Sequence, residues 1–73
     1  MSVAVVTGAG RGLGRETARV LAARGHSIVA VDIDEDSAVS AAAEAGGKGF
    51  GCDVSDREAV RDLADRVARS MSW

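Results

Sequence analysis

Proline and tyrosine are absent from this 73-residue chain, and cysteine, histidine and lysine occur once each, as Cys52, His26 and Lys48. A single cysteine excludes an internal disulfide and suits a reducing compartment, so a cytoplasmic location is expected. Aromatic residues make up only 3% of the chain. No apolar run approaches the roughly 20 residues that span a bilayer, and the first residues lack the basic region and cleavage site of a signal peptide. An excess of positive charge is missing too. The net charge of −2 gives no electrostatic reason to expect nucleic acid or an anionic membrane as partner. No set of residues has metal-ligand spacing.

What is present is 47% hydrophobic, mostly alanine and valine, and 27% charged. A core of small and β-branched side chains suits a sheet covered by closely packed helices. The length allows one small domain at most, burying about 60% of its unfolded surface. Three repeats of one plan run along the chain. Ser2 to Val6 is a continuous apolar run, as expected of a strand buried on both faces. From Gly12 to Arg24, Leu13, Thr17, Val20 and Leu21 share a helical face, and Gly25 stops the helix. Ser27 to Val31 reads as a second strand. Asp34 or Asp36 caps an alanine-rich helix reaching about Ala45, which Gly46 and Gly47 end. Lys48 to Cys52 is a weaker third strand, thinned by Gly49 and Gly51. Ser55 and Glu58 form a capping box, the serine accepting from the Glu58 amide. Behind it Val60, Leu63, Ala64, Val67, Ala68 and Met71 define the apolar stripe of a helix from Asp56 to Met71.

The order β-α-β-α-β-α with short connections implies a parallel sheet with right-handed crossovers. Such a sheet takes ligands at the carboxyl ends of its strands, where a helix start offers free amides and a positive dipole end. The stretch TGAGRGLG, Thr7 to Gly14, occupies that position after the first strand. Its glycines let the backbone approach a phosphate with no Cβ between, and let helix pack closely on strand. Spacing separates the candidate loops. No lysine follows Gly12 or Gly14, so the G-x-x-x-x-G-K-[ST] phosphate loop fails. G-x-G-x-x-G fails as well, because position 13 is Leu13 and position 15 is Arg15. T-G-x-x-x-G-x-G fits, with Thr7, Gly8, Gly12 and Gly14. At the end of the second strand stands Asp32, where a carboxylate can take both hydrogens of an adenosine ribose diol and repel a 2′-phosphate. Asp34, two residues further out, is better placed as a helix cap.

TGAGRGLG, the strand end VAVDID carrying Asp32, and CDVSD from Cys52 to Asp56 together resemble the N-terminal half of a short-chain dehydrogenase/reductase, over the whole chain. The resemblance implies an α/β fold: a Rossmann-type open parallel sheet, a β-α-β-α-β-α half-unit of strand order 3-2-1, with residues 1–73 an incomplete dinucleotide-binding domain. It implies NAD(P) as cofactor and hydride transfer to or from an alcohol or carbonyl substrate. It assigns the glycine loop to the pyrophosphate, Asp32 to the adenosine ribose, and Asp53 with Val54 to the adenine. The cofactor-binding candidates are Gly8, Gly10, Arg11, Gly12, Leu13, Gly14, Asp32, Ile33, Asp53 and Val54. Arg11 resembles the basic residue that NADP-using members carry before the second motif glycine. Asp32 opposes it, and NAD is the expected cofactor, because repulsion excludes a ligand more firmly than one attractive charge recruits it.

The family's later catalytic serine and Tyr-x-x-x-Lys pair have no counterpart here, so no residue is assigned proton transfer, and the chain alone is expected to be inactive. A small-molecule substrate and homo-oligomerisation are expected only of a longer parent. Two other readings stay open. Gly8, Gly10 and Gly12 also fit the G-x-G-x-G loop of a methyltransferase, although Val6 and Thr7 stand where an acid is usual and CDVSD goes unexplained. A non-catalytic nucleotide-binding truncation product also fits. His26 reads as a turn residue at the edge remote from the loop, and Cys52 as a small buried hydrophobe. Right-handed crossovers place the first two helices on one face of the sheet and the third on the other, leaving Val3 to Val6 at an open edge.

Overall fold

Alternation explains the sheet. Residues of one parity in the valine- and alanine-rich runs meet two helices, and those of the other parity meet one, so both faces must be apolar. The computed structural model describes residues 2–70. It comprises β1 (Val3–Thr7), α1 (Gly12–Ala23), β2 (Ser27–Asp32), α2 (Glu35–Ala45), β3 (Lys48–Gly51) and α3 (Arg57–Ser70). β1 pairs in parallel with β2, Val3 opposite Ser27 and Thr7 opposite Val31. β3 pairs in parallel on the far side of β2, Val29 opposite Lys48 and Asp32 opposite Gly51. The strand order β1-β2-β3 is the expected 3-2-1 viewed from the other side.

The two layers follow the predicted handedness. Val6, Ile28 and Ala30 are buried with Ala9, Ala18 of α1 and Ala42 of α2 on one face. Val29, Val31, Phe50 and Cys52 are buried with Leu63 of α3 on the other. Ile28, Val29 and Val31 are the largest fully enclosed side chains, each contributing roughly 1.5–3 kcal/mol by burial. His26 lies at the amino edge of the sheet, where its Nδ1 and the Ser2 hydroxyl share a hydrogen bond.

Two sequence expectations are corrected here. α1 seats on Ala18, with Leu21 and Ala22 half-buried beside it, whereas Leu13 is 84% exposed. The stripe of larger apolar residues is therefore rotated away from the true contact. Helix α3 is capped by Asp56, whose Oδ1 accepts from the Glu58 and Ala59 amides. The Ser55 hydroxyl instead donates to Asp53, so the Ser55–Glu58 box does not form. Of the α3 stripe, Leu63 is buried and Ala59 and Val67 pack beside it, while Val60, Ala64 and Ala68 line an apolar groove with Val5. Met71, expected at the end of this stripe, lies outside the described residues.

Gly47, Gly49 and Gly51 have a packing reason rather than a weakening one. A Cβ at Gly49 would lie 2.6 Å from the Ala38 carbonyl oxygen, and one at Gly51 2.6 Å from the Glu35 Cβ. Helix α2 thus rests directly on the β3 backbone. At the opposite edge, among the described residues, β1 has no partner on its outer side, and Val5 is 57% exposed there.

Candidate functional site

All three strands run the same way, so their carboxyl ends and the turns that follow share one edge. A cleft of about 210 Å³ opens there, lined by Gly8, Val31, Asp32, Ile33, Cys52, Asp53 and Val54. Gly8, Asp32, Ile33, Asp53 and Val54, drawn from three separate sequence segments, are thereby brought together. Gly10, Arg11, Gly12, Leu13 and Gly14 do not line it. They form the β1–α1 turn beside it, and Leu13 and Gly14 line a separate groove with Gly8, Thr17 and β1.

That turn divides its glycines into two kinds. Gly8 and Gly12 adopt φ of +66° and +58°, where a side chain is strained, and each has open space where a Cβ would stand. Gly10 and Gly14 are needed for contact. A Cβ at Gly14 would lie 2.1 Å from the Gly8 carbonyl oxygen, and one at Gly10 would press on Ser37 and the Asp32 carboxylate at 2.6 and 2.8 Å. Helix α1 therefore starts hard against the end of β1. Its N-cap residue is Arg11, in extended conformation, with no side chain accepting from the first-turn amides and no acidic residue in that turn. Those amides lie at the positive end of the helix.

Asp32 is the centre of the arrangement. It is only 6% exposed, and its Oδ2 accepts from the Gly10 amide at 2.9 Å while Oδ1 accepts from the Asp34 amide at 3.1 Å. The amides of Asp34 and then Gly10 hold its carboxyl below the usual aspartate range, burial opposes them, and the nearby Arg11 charge assists. Asp32 is thus ionised in the folded chain. It is not the cap of α2; Asp34 is, accepting from the Asp36 and Ser37 amides. Asp53 is exposed, and the Ser55 hydroxyl and amide likewise lower its pKa. Cys52 is buried at the cleft floor, its amide donating to the Asp32 carbonyl. Among the described residues no group of three or more His, Cys, Asp or Glu side chains could hold a metal ion.

Sequence reasoning missed Arg15. Its guanidinium donates to the Gly10 carbonyl, to Ser40 and twice to Glu44, joining the turn to α2. No spacing rule connects residues this far apart on different helices, so only an acidic position on α2 with no helical partner of its own could have hinted at it.

Comparisons with known proteins agree with the fold. The model of the short chain dehydrogenase family matches residues 2–72. The chain is 44% identical over 71 residues to the D-threitol dehydrogenase of Mycolicibacterium smegmatis, covering 90% of this chain and 27% of that enzyme. It is 50% identical over 64 residues to the short-chain reductase protein NovJ of Streptomyces niveus, covering 81% and 24%. Among solved structures, sorbitol-6-phosphate 2-dehydrogenase SrlD from Erwinia amylovora superimposes with a TM-score of 0.91 at 30% identity, over 94% of this chain and 30% of that one. The chain spans about a quarter of the length of these relatives. No helix among the described residues is long and apolar enough to cross a membrane.

Proposed function

Since this chain belongs to the short chain dehydrogenase family, we propose that it is the N-terminal part of a dinucleotide-binding domain in an oxidoreductase that moves a hydride between a nicotinamide cofactor and an alcohol or carbonyl substrate. The observation that carries the proposal is Asp32. An ionised carboxylate has about four acceptor positions, and the Gly10 and Asp34 amides take two. The remaining acceptor capacity is open to the hydroxyls of an adenosine ribose at the cleft that Asp32 lines.

The rest of the site fits the same ligand. Asp53 and Val54, with Ile33 opposite, form the walls of the cleft and would flank the adenine. The uncapped start of α1, with Gly8, Arg11, Gly12 and Leu13, would receive the pyrophosphate, for which backbone amides and a helix dipole are the natural partners. Gly10 and Gly14 would act through the shape of the loop, since the Gly10 amide is already committed to Asp32. A bound nicotinamide dinucleotide supplies the hydride chemistry; this chain's residues bind and orient its adenosine end. NAD is preferred over NADP, because the Asp32 charge opposes a 2′-phosphate while the Arg11 charge offsets only part of it.

No tyrosine is present to exchange a proton with an alcohol or ketone, so turnover belongs to a longer parent, which acts in the cytoplasm as a homo-oligomer without nucleic acid or membrane partners. The open β1 edge, with the apolar groove of Val5, Val60, Leu63, Ala64, Val67 and Ala68 beside it, is where such a parent would continue the sheet. Calorimetric titration of the chain with NAD, NADP and ADP-ribose tests the reading. ADP-ribose and NAD should bind alike and more tightly than NADP. No heat with any of the three, or tighter binding of NADP, overturns it.

A further inference from the structure

Arg15 is a half-buried arginine with an unusual set of partners. Nε donates to Glu44 Oε1 at 3.1 Å, Nη2 donates to Glu44 Oε2 and to Ser40 Oγ at 3.0 Å, and Nη1 donates to the Gly10 carbonyl at 3.1 Å. Four of the five guanidinium hydrogens are thereby used. Most surface ion pairs add little because two long side chains must be ordered for one solvated contact. This one is bidentate, and the Arg15 side chain is 28% exposed against 49% for Glu44. The pairing with Glu44 lowers the Glu44 pKa and raises that of Arg15.

The peptide unit it grips lies next to the carboxylate at the centre of the cleft. Gly10 is held on three sides: its carbonyl by Arg15, its amide by Asp32, and its Cα face by Ser37 at the start of α2. Ser37, Ser40 and Glu44 lie on successive turns of α2, the helix that Arg15 ties down. We propose that Arg15 is a positioning residue for the nucleotide-binding turn. It fixes α2 and the Gly10 peptide relative to each other, so that the Gly10 amide stays on Asp32 and the carboxylate keeps its remaining acceptor positions toward the cleft. The proposal deepens the cofactor reading and rests on it for the ligand, but its first test needs no ligand.

Amide hydrogen exchange of the chain reads the Gly10 bond directly, with the Ala9 amide, which donates to the Val31 carbonyl at 3.0 Å, as the internal reference. Arg15→Ala should raise Gly10 exchange by about ten-fold relative to Ala9, the size expected for loss of one hydrogen bond's support. The reversed pair Arg15→Glu with Glu44→Arg restores an α1–α2 ion pair yet offers no donor to the Gly10 carbonyl. It should recover the thermal midpoint while Gly10 stays fast. Arg15→Lys, which keeps the charge and loses the fork, should fall between wild type and Arg15→Ala. Recovery of Gly10 protection in the reversed pair, or a uniform rise across α1 and α2 in Arg15→Ala, overturns the proposal and leaves Arg15 as helix-to-helix glue. ADP-ribose affinity should fall by about ten-fold with Gly10 protection across the series. A wild-type chain that binds no ADP-ribose defeats the cofactor reading, and Gly10 exchange then still decides the role of Arg15.

Discussion

The three strand-to-helix turns are built on one plan and finished in two ways. After β2, Asp34 caps α2 through the Asp36 and Ser37 amides, and after β3, Asp56 caps α3 through the Glu58 and Ala59 amides. Both turns satisfy their helix with their own carboxylate. After β1, the residue in the same place is Arg11, which makes no such bond, and no acid stands in the first turn of α1. The closed turns show that this chain can cap a helix at this edge of the sheet. The open one leaves a helix start without a side-chain acceptor beside the one buried carboxylate among the described residues, and it is where the proposed reading puts the cofactor's pyrophosphate.

The contrast can be broken most severely at Gly14. Gly14→Val would drive a Cβ into the Gly8 carbonyl oxygen, 2.1 Å away, and is expected to cost about 3 kcal/mol or more, seen as loss of a cooperative urea transition. Gly12→Val meets no atom and strains only a φ of +58°, costing roughly 1–2 kcal/mol. It should leave the circular dichroism spectrum helical while abolishing the heat of NAD binding. A Gly12→Val chain that binds NAD normally removes the phosphate from this turn.

Asp32→Ala comes next. NAD binding should weaken by roughly 1–3 kcal/mol, the range for hydrogen bonds to a charged group, and the NADP to NAD preference should rise because acceptor and repulsive charge vanish together. An unchanged ratio in titrations would leave Asp32 only a structural acceptor for the Gly10 and Asp34 amides. Arg11→Asp would sharpen the comparison by giving α1 the cap its neighbours have. The extended backbone at position 11 suits an N-cap, so stability should rise by up to about 1 kcal/mol in urea, while NAD binding falls. If both stability and binding drop, the helix start was not free to be capped.

The smallest effect is a dependence on pH. The folded-state pKa of Asp32 is depressed below its ordinary 3.8, so its stabilisation is complete above that value and is lost as pH falls through the lower folded one. As far as Asp32 is concerned, the urea midpoint should therefore be insensitive to pH near neutrality and drop on acidification below about 4, with a shallower drop in Asp32→Asn. Asp53 is shifted in the same direction and adds to the slope.

Much of this was legible in the sequence, for physical reasons that can be named. Valine runs, glycine clusters and the handedness of crossovers specify element order and which helix covers which face, and the parallel sheet then delivers Gly8, Asp32 and Asp53 to one edge. Side-chain competition over one or two positions was not legible. Ser55 and Asp56 both suit an N-cap, and Ser55 goes to Asp53 because that carboxylate lies within 2.7 Å of its hydroxyl. Nor was the seat of α1, since Ala18 carries too little hydrophobic signal to outweigh Leu13 and Val20. The Arg15–Glu44 clamp depends on a helix–helix approach that no local pattern encodes.

The glycine face of β3 has a mechanical consequence. Helix α2 presents buried Ala38, Ala41 and Ala42, and β3 presents Gly49 and Gly51. Methyl groups on bare backbone determine how near two elements lie and interlock weakly along their length. The strand is a smooth rail: it sets the height of the helix and gives little resistance to sliding. What stops α2 along that rail is polar and sits at its sides, the Arg15 fork on Ser40 and Glu44. Register between helix and sheet then rests on a charged latch as well as on the buried alanines, and raised ionic strength should loosen the latch alone.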